Sequence, residues 1–547
     1  MLNSAGALMA LDERTSFNSS LGGILQSSNY IGALSGSSWL LGSLIFQNWS
    51  SVESILNNPQ LDLWNLTTTR QLVNQDGLWT ILFPVLFENL DSALSHLNFW
   101  DNGDKTGIKY DLQNKTKADN DDYASDKTWS DIRNIDAFAN HEMPFPLITA
   151  LGRKPGTVVY NLNSTVVEMN PFEIGSFDPS LNTFMDIEYI GTNVSNGTPT
   201  GVCINGFDNA GFVMGTSSSL FNQFLNTLVC DDCNSLNFVL KWVLKQFLTR
   251  LSSNHEDVAL YKPNPFYNSQ YANSNNITTS DTLYLIDGGI GGEIIPLSTL
   301  ITTDRKLDAV FAFDSSDDLD IMWPNGTALV NSYERQFSNQ GSSMVCPYIP
   351  DQNTFLNQNL TAKPTFFGCD AKNLTDLTKD GVVPPIIIYF ANRPYEFYSN
   401  TSTYALTFTN DEKLGMIQNG YDIATRLNST IDENFKTCIA CALIQREEER
   451  RGIEQSDQCK ECFKDYCWDG TIATNEPLNL VNFTDSGLTN GSTTFYGDAN
   501  DKYQSSGLSL FKREETEDVE VSISNTGGKM LPSMISIILM IVSSMII

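Results

Sequence analysis

The feature that most constrains this fold is an abrupt change of pattern at Ser35. Residues 29–34 form a short apolar run that predicts a β-strand, and residues 37–49 carry apolar side chains at helical spacing. A strand, a tight turn of small residues and a helix are typical of a nucleophile elbow, which exposes a serine hydroxyl. The helix N-terminus also supplies backbone N–H groups, here Gly36, that can hold a developing oxyanion. The alternative is an ordinary turn in which serine caps the helix.

A second strand pattern ends in a carboxylate. The β-branched and aromatic run at residues 282–286 leads into Asp287 and two glycines. A serine nucleophile needs a base, and none of the three histidines, His96, His141 and His255, lies in a partner motif. We therefore predict that Asp287 acts directly on Ser35, while a histidine-based triad and a simple Asp-Gly turn remain alternatives.

Another Gly-x-Ser pattern lies at residues 215–221 and predicts a second turn before a helix. It makes Ser217 an alternative nucleophile. The residues before it form a less regular strand pattern than those before Ser35, so Ser35 is the preferred candidate.

The charge balance excludes one class of partner. The net charge is −31, which argues against binding nucleic acid, because phosphates would be repelled. Charged residues make up only 18% of the chain, below the usual share of about a quarter. Asparagine, serine and threonine replace them, and many Asn-x-Ser/Thr sequons occur, a composition typical of a secreted glycoprotein.

The two ends of the chain bear on localisation. Small residues cluster at positions 522–528, and an almost wholly apolar run extends from Met530 to Ile547. This order is typical of a GPI-attachment signal, so we predict attachment at Asn525 and a place on the extracellular face of the plasma membrane or in the cell wall. A retained transmembrane helix is the alternative. Because residues 1–10 lack a signal-peptide pattern and predict a core helix, we expect the secretory signal to lie upstream.

The ten cysteines admit two interpretations. Two Cys-x-x-Cys pairs, at 438/441 and 459/462, match the spacing of a zinc ribbon. Disulfides are the default in an oxidising compartment, so we predict disulfide bonds of unknown connectivity, with no metal and no cofactor.

The pattern along the chain predicts an α/β fold with a central mixed β-sheet flanked by helices, followed by a C-terminal Cys-rich segment at 438–470. We expect a catalytic domain at 1–475, a polar linker at 476–525 and the hydrophobic signal at 526–547. Within the domain, residues 78–100 predict an apolar helix of the core, and residues 384–390 a buried strand.

Taken together, these motifs resemble the fungal phospholipase B (lysophospholipase) family, whose catalytic fold is similar to that of cytosolic and patatin-like phospholipases. The resemblance runs from Met1 to about Trp468 and rests on the Ser35 turn, Gly206–Phe212, Gly215–Asn222, Asp287–Gly289, Trp323–Thr327 and the last cysteines. It implies a metal-free Ser35–Asp287 dyad that cleaves fatty-acyl esters of phospholipids and lysophospholipids at a membrane.

The chain departs from the family pattern near the site. The family carries a Gly-Gly-Gly-x-Arg-Ala-Met segment for the oxyanion and the lipid phosphate, and Met1 matches only its last residue. Ala33 and Ser37 replace glycines, and Ile290 stands where the family usually has an acidic residue. Losing one oxyanion donor costs roughly 100- to 1,000-fold in rate. A catalytically weak, GPI-anchored surface glycoprotein that retains the fold is therefore the alternative function.

Overall fold

The computed structural model describes the chain up to residue 478 with several gaps. The described residues are 1–58, 64, 66, 127–154, 161–218, 259–273, 275–403, 405, 408–476 and 478. All of them belong to one unit, Met1–Leu510. The apolar helix predicted at 78–100 and the tail from Met530 to Ile547 lie outside the described residues. Within the described ranges, no helix has the length and apolar character that a membrane span requires.

The chain contains both strands and helices, and six of the described strands follow one another between residues 145 and 199. The strands are β1 Tyr30–Ala33, β2 Phe145–Gly152, β3 Val166–Met169, β4 Glu173–Ser176, β5 Thr183–Asp186, β6 Val194–Ser195, β7 Thr198–Pro199, β8 Ala259–Tyr261, β9 Leu283–Asp287, β10 Ala309–Asp314, β11 Thr365–Phe367 and β12 Ile386–Ala391. The helices are α1 Leu2–Leu11, α2 Ile24–Ser27, α3 Gly36–Ile45, α4 Val52–Leu56, α5 Asp136–Ala139, α6 Ala210–Ser217, α7 Asn275–Thr278, α8 Leu297–Leu300, α9 Thr327–Arg335, α10 Gln352–Asn357, α11 Asn410–Thr425, α12 Phe435–Arg451 and α13 Asp457–Tyr466. The predicted α/β class is confirmed, and the run at 384–390 is indeed a buried strand, β12.

The main sheet has the order β5-β4-β3-β2-β9-β8, and β1 also pairs with β2. β1 runs parallel to β2 along Phe145–Ile148, whereas β9 runs antiparallel to it along Ala150–Gly152. Because β3 occupies the other side of β2, β1 and β9 share one side. Their carboxyl ends therefore point at each other and meet beside Thr149, the β2 residue between the two pairings.

A second, three-stranded sheet extends the core. β10 pairs in parallel with β12, and β11 pairs antiparallel to β12 on its other side. One hydrophobic cluster joins the two sheets, because it contains Leu147 of β2 together with Val310 of β10 and Ile387 of β12. Burial of this continuous apolar surface is the main force that holds the sheets together.

Two glycines let α1 and α11 pack backbone against backbone. A Cβ atom on Gly6 would lie 1.8 Å from Ile417 O, and one on Gly420 would lie 2.0 Å from Asn3 O. No other residue could occupy either position without separating the helices. This packing fixes the start of α1, where Met1 lies beside Gly36.

The Cys-rich segment is a disulfide-linked helical hairpin. Cys438 and Cys441 of α12 pair with Cys462 and Cys459 of α13, respectively. A third bond, Cys369–Cys467, ties the end of α13 to the chain just after β11. The predicted disulfides are therefore present at these six cysteines, and the four with zinc-ribbon spacing bond to one another. Cys203 and Cys346, by contrast, form no disulfide with a described residue.

Candidate active site

Ser35 occupies a sharp turn between β1 and α3, as the elbow pattern predicts. Its φ of 52° and ψ of −128° lie in a region that residues with a side chain rarely adopt. Such a conformation costs roughly 1–3 kcal/mol and persists only where the surrounding structure holds it. The turn leaves Ser35 partly exposed, although Leu34 on its amino side is buried.

The Ser35 hydroxyl donates a hydrogen bond to Asp287, with Oγ 3.0 Å from Oδ2. The two residues end β1 and β9, the strands whose carboxyl ends meet beside Thr149. The sheet topology therefore brings together two side chains that the sequence suggested separately.

Asp287 is almost completely buried, which changes its acidity. Its Oδ1 accepts a hydrogen bond of 2.8 Å from the Gly289 N–H. Burial disfavours the charged form and raises the pKa of Asp287 from 3.8 to about 7, although the bonds from Gly289 and Ser35 act in the opposite direction. A carboxylate with this pKa can accept and return a proton near neutral pH.

Gly288 allows the two strand ends to approach. A Cβ atom at this position would lie 2.3 Å from Leu34 Cδ1 and 2.8 Å from Thr149 O. Both distances are far inside van der Waals contact, so Asp287 can stand beside the elbow only if a glycine follows it.

The first N–H group of α3, that of Gly36, lies next to Ser35. The N–H groups of Ser37 and Ser38 donate to Leu34 O and Ser35 O, respectively. The Gly36 N–H donates to no described residue, and the Ser35 side chain does not cap the helix because its hydroxyl bonds to Asp287. An acceptor at this position would meet the positive end of the α3 dipole.

Histidine takes no part in this arrangement as far as the structure describes it. His141 lies in an exposed turn after α5, and no hydrogen bond joins it to Ser35 or Asp287. His96 and His255 lie outside the described residues. Ser35 and Asp287 thus form a pair without His141.

The second Gly-x-Ser pattern was placed wrongly in the secondary structure. Gly215, Thr216 and Ser217 are the last residues of α6, not a turn before a helix, because the helix begins earlier, at Ala210. Ser217 is nevertheless part of the site's surroundings, since its hydroxyl accepts a hydrogen bond of 3.1 Å from the Ser35 N–H. Sequence reasoning missed this supporting position, because only the packing of α6 against the elbow reveals it.

A cavity of about 600 Å³ lies beside β1. Residues of both β1 and β10 line it, and its wall also includes Leu34, Ser37, Leu40 and Leu41. Neither Ser35 nor Asp287 lines it. The cavity thus adjoins the residues on either side of Ser35, whereas Ser35 and Asp287 themselves are not part of its wall.

Comparison with known proteins identifies the family. The lysophospholipase catalytic domain family matches residues 1–473. The chain belongs to this lysophospholipase family. It is 46% identical to lysophospholipase 1 of Candida albicans over 526 residues, which cover 94% of this chain and 84% of that protein. It is 44% identical to lysophospholipase 3 of Saccharomyces cerevisiae over 488 residues, covering 87% and 70% of the two chains.

The fold of this lysophospholipase family member is also found in a solved structure. Human GIVD cytosolic phospholipase A2 superposes with a TM-score of 0.51 at 15% identity, covering 81% of this chain and 58% of that one. This likeness concerns the fold alone. The predicted resemblance to fungal lysophospholipases and to the cytosolic phospholipase fold is confirmed.

The departures from the family pattern are accommodated locally. Ala33 is the buried last residue of β1 and pairs with Ile148. Ser37 Oγ lies 3.2 Å from Ser4 Oγ, which joins α3 to α1. Ile290 packs against a cluster formed by Leu151, Val166 and Ile286. None of these changes disrupts the bond between Ser35 and Asp287.

Proposed function

We propose that this member of the lysophospholipase family hydrolyses fatty-acyl esters of lysophospholipids and glycerophospholipids with a Ser35–Asp287 dyad. The observation that carries the proposal is the hydrogen bond from Ser35 Oγ to Asp287 Oδ2 at the elbow. The names of the related fungal proteins support the same reaction class, a carboxylic ester hydrolase.

In the acylation step, Asp287 accepts the hydroxyl proton while Ser35 Oγ bonds to the ester carbonyl carbon. The carbonyl oxygen becomes an oxyanion, and the Gly36 N–H stabilises its charge. Collapse of this intermediate breaks the ester C–O bond, and the departing glycerol oxygen takes the proton from Asp287. The fatty acyl group is then esterified to Ser35.

In the deacylation step, water attacks the acyl carbon and gives a proton to Asp287. The fatty acid leaves as the Ser35 oxygen regains that proton, so the enzyme returns to its starting state. The base and the oxyanion donor are both groups of the protein, so the proposed reaction requires neither a cofactor nor a metal ion.

The proposed setting is a lipid surface outside the cell. The small-residue cluster and the apolar terminal run favour a GPI anchor at Asn525. The predicted secretory route agrees with the disulfides of the α12–α13 hairpin, because disulfides persist in oxidising compartments. Membrane phospholipids and their lyso derivatives would then be within reach of the tethered domain.

A covalent probe tests the nucleophile. An alkyl fluorophosphonate transfers its phosphoryl group to an activated serine and releases fluoride, so peptide mapping of the labelled protein identifies the reacting residue. We expect the label on Ser35 and none on the Ser35→Ala variant. A label on Ser217, or undiminished labelling of Ser35→Ala, would contradict the proposal. A weakly active surface glycoprotein would instead show slow labelling of Ser35 without release of fatty acid.

A further inference from the structure

The end of α6 packs directly against the strained elbow. The Ser35 N–H points at Ser217 and lies 3.1 Å from both its hydroxyl oxygen and its carbonyl oxygen. The Ser217 hydroxyl in turn donates its proton to Thr149 O at 2.7 Å. Ser217 therefore connects the backbone of Ser35 to the β2 residue beside which β1 and β9 meet.

The carbonyl of Ser35 is held as well. Ser38 Oγ donates to Ser35 O at 2.5 Å and lies 3.2 Å from Met214 O, one turn before Ser217 on α6. Both backbone polar groups of Ser35 thus have defined partners at the α3–α6 contact. A residue with a φ of 52° needs such support, because the conformation is unfavourable by itself.

We propose that Ser217 is a positioning residue for the Ser35 nucleophile. Its hydroxyl bridges the Ser35 N–H and Thr149 O, and this bridge sets the distance between Ser35 Oγ and Asp287. The inference rests on the proposed role of Ser35 and adds to it. Ser217 does not touch substrate, since its side chain is completely buried and its proton is committed to a backbone carbonyl.

Removal of the Ser217 hydroxyl should affect chemistry more than binding. In Ser217→Ala, the Ser35 N–H keeps one acceptor, Ser217 O, but loses the bridge to Thr149. A displacement of about 1 Å in a reacting group costs on the order of 100-fold in rate. We expect kcat on lysophosphatidylcholine to fall roughly 10- to 100-fold while KM changes less than about twofold.

The chain offers a closely matched control, Ser43. This residue of α3 is also completely buried, donates to Leu40 O at 2.7 Å and accepts from Trp64 Nε1 at 3.1 Å. It has no hydrogen bond to Ser35. Ser43→Ala removes the same number of bonds of the same lengths and also takes away the described acceptor of Trp64 Nε1, so it should lower the melting temperature at least as much as Ser217→Ala while kcat stays within about twofold of wild type.

The experiment measures kcat, KM, melting temperature and the fluorophosphonate labelling rate for wild type, Ser217→Ala, Ser43→Ala and Ser217→Thr. Ser217→Thr retains the hydroxyl, so it should regain most of the labelling rate lost in Ser217→Ala. Equal labelling rates in Ser217→Ala and Ser43→Ala would overturn the positioning role. So would a rate in Ser217→Thr no higher than in Ser217→Ala when both variants melt cooperatively. Labelling that survives in Ser35→Ala would instead reject the nucleophile itself.

Discussion

Ser35 Oγ lies 3.0 Å from Asp287 Oδ2 although the two residues are 252 positions apart in the chain. The contact is a consequence of sheet topology, because β1 and β9 approach each other along the same side of β2. The serine requires a strained turn and the aspartate requires a glycine after it. Each of these requirements can be tested separately.

Burial of Asp287 predicts a specific dependence of stability on pH. Its pKa is raised from 3.8 to about 7 in the folded protein, so between these values the folded state holds a proton that the unfolded chain has released. The free energy of unfolding should therefore fall as pH rises through this window. Relative to the Asp287→Asn variant, wild type should lose stability from about pH 4 to about pH 7 and then level off. Urea unfolding of both proteins measures the difference, and a pH-independent difference would contradict it.

Gly288 should tolerate no side chain. In Gly288→Ala the added methyl group would meet Leu34 and Thr149 O, so we expect a loss of about 1–3 kcal/mol in unfolding free energy and reduced activity. Gly201→Ala is the control, because a Cβ atom there meets no atom within 4 Å. Thermal unfolding compares the two variants. Equal melting temperatures would mean that the strand ends can separate at no cost.

The cysteine pairing should appear directly in peptide maps. Digestion without reduction should yield the linked peptides Cys369–Cys467, Cys438–Cys462 and Cys441–Cys459. Reduction should separate them. Stoichiometric zinc together with reduced thiols at 438, 441, 459 and 462 would show a metal site in place of the disulfides.

The proposed anchor predicts release by a specific enzyme. If Asn525 carries a GPI lipid, phosphatidylinositol-specific phospholipase C should release the protein from membranes, and no peptide beyond about residue 528 should be found in the mature protein. Asn525→Pro removes the predicted attachment residue and serves as the control, so the same treatment should release less of this variant from membranes. Recovery of the Met530–Ile547 peptide from surface protein would indicate a retained transmembrane helix.

The sequence predicts the positions of Ser35 and Asp287 at the ends of two strands, because these signals are local. Ser35 and Asp287 could each be identified because a strand pattern ends in a small-residue turn at both positions, and the need for a base joined them. The register of β1 and β9 on β2 could not be predicted, since it depends on pairings between distant segments. The supporting role of Ser217 could not be predicted either, because its contact with Ser35 exists only after α6 has packed against the elbow. The disulfide partners could not be predicted from the sequence, because the four cysteines of the α12–α13 hairpin alone allow three pairings.

The most direct test of the dyad is fatty-acid release from lysophosphatidylcholine by purified Asp287→Asn. The amide is close in size to the carboxylate but cannot accept the Ser35 proton, so we expect kcat to fall by roughly 100- to 10,000-fold in a folded protein. Replacement of His96, His141 or His255 by alanine should leave kcat within about threefold of wild type. A loss in any histidine variant comparable to that of Asp287→Asn, or an Asp287→Asn variant with wild-type kcat, would contradict the Ser35–Asp287 account.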